Sequence, residues 1–193
     1  MWNQIADVVL EDERVTLRRI DSADIAGYRE IAFEEDIWRY FVVTVKDEAE
    51  LQQFIDTGLA DTAAGRRIVF SIIDKSSGAI AGSMSFGNLS EHDKRIEIGW
   101  SWLGQAYRGT GLNQSAKQLL LDFAFDQLQC ERVEFKTDVL NLRAQKGLTN
   151  IGATKEGVLR SHTQMPGGRR RDTIYFSILR HEWPAIQDTL RQA

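Results

Sequence analysis

One cysteine and two prolines in 193 residues set the first limits. A lone Cys130 cannot build a disulfide framework, so a reducing compartment such as the cytoplasm is expected. Nothing around it suggests activation, and it reads as a small buried apolar residue rather than a nucleophile. The three histidines, His92, His162 and His181, are far apart and fit no metal-ligand spacing, so no metal site is expected. No apolar run reaches the roughly 18 residues of a membrane span. The opening MWNQIADVVLEDER lacks the basic region and long apolar stretch of a signal peptide. Positive charge is not in excess either. The net charge of −4 and pI near 5.5 argue against nucleic acid as the main partner. The exception, GGRRRD at 167–172, sets arginines beside an aspartate in a turn and reads as a solvated hairpin. Repeats, linkers and low-complexity segments are also missing, so residues 1–193 read as one domain with a motif core of about 13–180.

What is present is ordinary for a globular chain: 42% hydrophobic and 27% charged residues. At this length roughly 70% of the unfolded surface can be buried. Alternating RVTLRRI (14–20) predicts a strand, and Asp21 and Ser22 offer caps for a short helix over ADIAGYREIAF. DEAELQQFIDTGLADTA (47–63) predicts a second helix with acids in its first turn. Strand patterns follow at 67–74, 79–87 and 95–102, the first two joined by the turn KSSG. Leu112, Ala116, Leu119, Leu120 and Phe123 form the apolar stripe of a longer helix. A strand at 132–139, a short helix at 141–153 stopped by Gly152, a hairpin around PGG and a final small helix complete the chain. The class is α+β: a mixed, mostly antiparallel sheet with helices packed on it. The crossover through 95–139 should pair its strands in parallel or splay them.

The loop GQAYRGTGLNQSAK (104–117) carries the chemistry. A helix starts with up to four backbone N–H groups lacking internal partners, and its dipole adds about half a positive charge there. Gly109 and Gly111 allow a sharp turn and close approach of a ligand, and Arg108 adds a forked cation suited to phosphate. The same glycines could instead only shape a strand-to-helix turn. The pattern is neither a dinucleotide fingerprint nor a P-loop.

The stretch EIGWSWLGQAYRGTGLNQSAKQLLLDFAF resembles the acetyl-coenzyme A signature of the GNAT superfamily of N-acetyltransferases. The usual Gln/Arg-x-x-Gly-x-Gly/Ala is met by Arg108 and Gly111, with Asn113 departing at the last position. FKTDVLNLRAQKGLTNIGATKEGVLR is similar to the later family motif, and VTLRRIDSADI and RRRDTIYFSILRHEWPAI fit the RimJ/RimL-like branch. The resemblance implies a GNAT-like sheet splayed at its middle, with helices on both faces and coenzyme A in the opening. It implies that the segment Arg108, Gly109, Thr110, Gly111, Leu112 and Asn113 holds the pyrophosphate. It further implies that the strand at 95–102 lies along the pantetheine, that Trp102 and Leu103 serve the thioester end, and that Asn141 and Arg143 contact the coenzyme arm. A backbone N–H near Trp102–Leu103 would steady the developing oxyanion. The implied activity is acetyl transfer from acetyl-CoA to a primary amine by direct attack.

Acetyl transfer needs a neutral amine, which costs roughly 4.6 kcal/mol for a lysine at pH 7 but only about 1 kcal/mol for an α-amine. A carboxylate can relay the proton. Strict alternation in RIEIGWSW puts Ile96, Ile98, Trp100 and Trp102 on one face and Glu97, Gly99 and Ser101 on the other. Glu97 is thus the candidate base, or a carboxylate that faces solvent or pairs with Lys or Arg. The family's usual Tyr and Ser acids are replaced by Leu148 and Ala144. EEDIWRYF sits where relatives form an acceptor wall, so Glu34, Glu35, Asp36 and Trp38 are expected acceptor contacts. Two other readings stay open: a CoA-binding regulator or sensor without catalysis, and a protein for another phosphate ligand. Relatives often pair through exposed strands, which makes a homodimer an option.

Overall fold

The computed structural model describes residues 2–192. After a 3-10 turn at Trp2–Asp7 come strands β1 (Leu10–Glu11) and β2 (Val15–Arg19). Helices α1 (Ile25–Arg29), α2 (Glu35–Trp38) and α3 (Glu48–Ala63) lead to the meander β3 (Arg67–Asp74), β4 (Ile80–Ser90) and β5 (Arg95–Leu103). Then follow α4 (Leu112–Asp122), β6 (Arg132–Asp138), α5 (Leu142–Asn150), the hairpin β7 (Thr154–Gln164) and β8 (Arg170–Leu179), and α6 (Trp183–Arg191). One sheet runs β1-β2-β3-β4-β5-β6-β8-β7, and β5–β6 is its parallel pair.

Local chemistry accounts for most boundaries. Asp47 caps α3 by accepting from the Glu50 amide, Asp21 and Asp24 form a capping box before α1, and Asn141 caps α5 through the Ala144 amide. Two apolar layers sandwich the sheet. One gathers Phe70, Phe86, Ile96 and Ile98 with α4 and α6 residues such as Leu112, Leu120 and Trp183. The other gathers Tyr28, Leu51, Ile55 and Trp102 beneath α1–α3. Each fully buried Phe or Leu contributes about 1.5–3 kcal/mol. Beneath α1, buried Asp24 accepts from Arg18 and from the Ser71 hydroxyl, which also bonds the Tyr28 hydroxyl at 2.8 Å. Burial alone would raise the Asp24 carboxyl, but the bonds from Arg18 and Ser71 outweigh it and hold it below its ordinary value.

Strand β5 departs from strict alternation. Its register against β4 shifts between Ser83 and Ser85, and Trp100 takes φ +51°. One extra residue flips the pleat, a β-bulge. Ile96 and Ile98 stay with the α4 layer, whereas Trp102 joins the α1–α3 layer and the Trp100 ring lies across Gly87, the cross-strand partner of Glu97. Both tryptophans therefore share the face of Glu97, not that of the isoleucines. The α4 helix also runs on past its expected geometry into a π turn at Phe123–Gln127. The short α2 and the small strand β1 carried no sequence signal.

Candidate active site

Strands β5 and β6 are bonded only through the register pairs Arg95↔Arg132, Ile96↔Val133 and Glu97↔Glu134. Beyond Glu97 they part: β5 bulges, while β6 stays paired with β8 along all of Arg132–Asp138. A cleft of about 570 Å³ opens between them. Trp102, Leu103, Phe135 and Lys136 line its walls, α4 contributes Asn113 and Lys117, and α5 contributes Asn141, Arg143 and Ala144.

At one end lies the glycine loop. Gly109 (φ +77°) and Gly111 (φ +92°) take left-handed conformations that side chains rarely adopt, and Gly111 is the N-cap of α4. A Cβ on Gly111 would stand 2.6 Å from Arg14 Nη1. Among the described residues, the amides of Gly109, Thr110, Gly111, Leu112 and Asn113 donate to no acceptor in the chain. Deeper in the same cleft, Lys117 is buried at 7% exposure, and burial pushes its amine down to about 8. It donates to Asn113 Oδ1 at 2.6 Å, and no carboxylate pairs with it among the described residues. Sequence reasoning missed Lys117. The signal was available: Asn113 and Lys117 are one turn apart, and Lys117 is flanked by the buried Ala116, Leu120 and Leu121. The departure at Asn113 thus has a local role, since its side chain holds a buried cation.

Arg108 stands at the mouth, donating through Nε to the Leu103 carbonyl at 3.1 Å and through Nη1 to Asp36 at 2.7 Å. Arg143 approaches the same Asp36 carboxylate at 3.7 Å. Glu34 accepts from the Gln105 amide at 2.7 Å. Glu34 and Asp36 are thus bonded to the loop, and neither lines the cleft. Glu35 is exposed, and Trp38 is buried, donating through Nε1 to the Ala32 carbonyl and packing on Trp102 at 5.1 Å. The cleft wall from this segment is made by Ile37, Tyr40, Phe41 and Val42. The physical reason is the one-turn α2, which turns Asp36 toward Arg108 and Arg143 and buries Ile37 and Trp38.

Glu97 lines the cleft at 2% exposure. It accepts from Asn88 Nδ2 at 2.5 Å and pairs with Lys136 Nζ at 2.9 Å. A Cβ on Gly99 would sit 3.0 Å from Glu97 Oε1, so the absent side chain leaves the carboxylate room. Asn141, besides capping α5, lines the cleft, and Ala144 and Leu148 line it beside Gly147. The buried Trp102 indole N–H finds no partner among the described residues. Cys130 is fully buried outside the cleft, and burial pushes its thiol up to about 12, which leaves it inert.

The geometry therefore combines an anion-seeking loop and buried cation at one end of a split sheet with an ion-paired carboxylate at the other. Residues 14–154 match the acetyltransferase (GNAT) domain family. The uncharacterized N-acetyltransferase p20 of Bacillus licheniformis is 30% identical over 178 residues, covering 90% of this chain and 97% of that protein. The uncharacterized N-acetyltransferase YnaD of Bacillus subtilis (strain 168) is 23% identical over 171 residues, covering 89% of this chain and 96% of that protein. A GCN5-related N-acetyltransferase from Brucella melitensis shares the fold at TM-score 0.88 and 24% identity, over 96% of this chain and 85% of that one. With its split eight-stranded sheet and this family match over residues 14–154, the chain belongs to the GNAT acetyltransferases.

Proposed function

We propose that the protein is an N-acetyltransferase of the RimJ/RimL-like kind, a single domain that moves the acetyl group of acetyl-CoA to a primary amine by direct attack. One observation carries the reading: among the described residues the amides of Gly109–Asn113 are unpaired, both ends of that run line the cleft, and so does Lys117, a buried cation that no carboxylate pairs with. A diphosphate supplies the acceptor oxygens and negative charge that both lack. Coenzyme A, when bound, supplies the activated acetyl thioester.

The protein's part is binding, orientation and proton handling. The loop amides and Lys117 take the diphosphate, with Arg108 and Arg143 at its rim. Trp102 and Leu103 guide the arm along β5, and the unpartnered Trp102 N–H and the Asn141 side chain offer polar contacts toward its reactive end. Glu97 takes the proton of the incoming amine, directly or through water, and Lys136 and Asn88 hold its carboxylate in the cleft. Ala144 and Leu148 carry no acidic group, so neither would protonate a departing thiolate, which at an ordinary pKa of about 8.5 is a tolerable leaving group near neutral pH. We place the protein in the reducing cytoplasm on its single buried cysteine. The exposed edge strand β7, with Val158 and Leu159 at 40% and 48% exposure, is the surface through which two copies would pair.

Native mass spectrometry of the purified protein tests the cofactor, and release of free thiol with a panel of amines tests the transfer. Coenzyme A bound without release for every amine would make the protein a coenzyme A sensor, and a different phosphate ligand would end the reading.

A further inference from the structure

A second pocket, of about 230 Å³, adjoins the cleft and shares Phe41, Val42 and Trp100 with it. Trp100 is the partition. Its positive φ is a strained conformation for a bulky residue, of the sort that clusters at functional sites. Its ring closes over Gly87, where a Cβ would come within 2.4 Å, and lies between the Arg67 guanidinium at 5.3 Å and Lys136 Nζ at 5.7 Å. Through Lys136 the partition touches the ion pair of Glu97.

The walls of this pocket are apolar, chiefly Val45, Phe54 and Val69, and Val42 and Val43 are exposed at its rim. Its floor is not. Ser85 is 1% exposed, and among the described residues neither its hydroxyl nor Arg67 Nε has a partner. The two lie on neighbouring strands on one face of the sheet, since Ser85 pairs with Val69 and Arg67 with Gly87. Leaving a buried donor unmade costs about 1–3 kcal/mol. The other charges here are already engaged. Asp61 pairs with Arg67 Nη2 at 3.0 Å, and Glu50 accepts from the Lys46 amide and the Thr44 hydroxyl. What remains is two donors just beneath the surface of an apolar chamber, each on a residue that lines it, and the chamber is roomier than the roughly 150 Å³ cavity that admits benzene.

We propose that this chamber selects the acceptor: an amine attached to a ring-sized apolar group whose far end carries a carbonyl or carboxylate oxygen. The group enters past Trp100, its oxygen accepts from Ser85 and Arg67, and the amine remains at the Glu97 end of the cleft. The inference rests on the reading of the protein as an amine acetyltransferase.

Calorimetric titration of the coenzyme A-saturated protein with 4-(2-aminoethyl)benzamide, phenethylamine and ethylamine tests it. The benzamide should bind about ten-fold more tightly than phenethylamine, and Ser85→Ala should narrow that gap. Thr57→Trp, at an exposed rim position of α3, should weaken both aromatic probes about ten-fold, with coenzyme A affinity unchanged as the check on folding. Equal binding of the two aromatic amines, no binding of either, or indifference to both substitutions overturns the proposal. Thiol release is measured separately. Turnover of ethylamine with no aromatic binding would leave acetyl transfer standing and remove the pocket. Selective binding of the benzamide without any release would keep the pocket and remove the transfer.

Discussion

Asp36 holds Arg108 Nη1 at 2.7 Å, so one carboxylate of the short helix α2 anchors the arginine of the glycine loop. The pair is largely solvated, since Asp36 is 59% exposed, and such pairs contribute about 0–1 kcal/mol to stability. Its consequence is for binding. Arg108→Ala is expected to weaken coenzyme A by about 1–3 kcal/mol, the range for a charged hydrogen bond. Asp36→Asn frees the guanidinium and should leave the dissociation constant unchanged or lower it. Isothermal titration of both variants decides, and equal weakening by the two would make Arg108 a brace for α2 and no ligand contact.

Lys117 gives a pH signature. Its folded amine is held near 8 by burial, against an ordinary 10.5. Between these values the unfolded chain binds more protons, so this residue makes stability rise with pH across that window. The shift corresponds to about 3 kcal/mol. Cys130 acts in the opposite sense, because its folded thiol near 12 stays protonated where the unfolded thiol ionises. Comparing denaturation of the wild type with Lys117→Met from pH 7 to 10.5 isolates the lysine. The variant should be more stable at pH 7 and lose the rising contribution. It should also bind coenzyme A more weakly and abolish the proton uptake that accompanies binding at pH 8.5. That uptake reads out as a calorimetric enthalpy that varies with the buffer's ionisation heat. Unaltered uptake in the variant would exclude Lys117 from the diphosphate site.

Glu97 is held from two sides, by Asn88 and by Lys136. If it takes the proton of the amine, Glu97→Gln should lower kcat by a factor of about 10²–10⁴ while leaving coenzyme A affinity in place. Lys136→Met removes the partner and keeps the carboxylate, and should cost less. Single-turnover thiol release read beside the binding constant separates the two effects. A Gln variant of undiminished rate would reduce Glu97 to a counter-ion for Lys136.

The elements with strong periodic patterns were legible before any coordinates. The strand Arg67–Asp74 falls on its expected bounds, and Asp21 caps the first helical segment as its side-chain chemistry led one to expect. The glycine loop was legible because φ above zero has few residue solutions. The bulge at Trp100 was not, since a pleat reversal leaves no mark in a run of alternating aromatics and isoleucines. Nor was the destination of Glu34 and Asp36. An acid next to aromatics reads as an acceptor contact until tertiary folding brings Gln105 and Arg108, some 70 residues on, within bonding distance. Lys117 was not legible either, because a lysine's long stem lets it lie beside an apolar stripe and still reach solvent.

The bulge imposes a last requirement on the opposite strand. A Cβ on Gly82 would lie 2.1 Å from the Trp102 carbonyl oxygen and 2.9 Å from Leu103 Cα, both backbone atoms that cannot rotate away. Gly82→Ala must therefore push β5 outward at the residues assigned to the coenzyme arm. Overpacking of this kind costs about 1–3 kcal/mol. For a chain of this size that lowers Tm by roughly 2–12 °C. Coenzyme A affinity should fall with it, because Trp102 and Leu103 line the cleft. Gly147 is the contrast: it lies within α5 and a Cβ there meets nothing within 4 Å. Gly147→Ala should raise stability by up to about 1 kcal/mol through helix propensity. Thermal denaturation of both variants checks the pair. A Gly82→Ala protein as stable as the wild type would mean that β4 and β5 do not approach so closely at the bulge, and the geometry of the cleft wall would have to be redrawn.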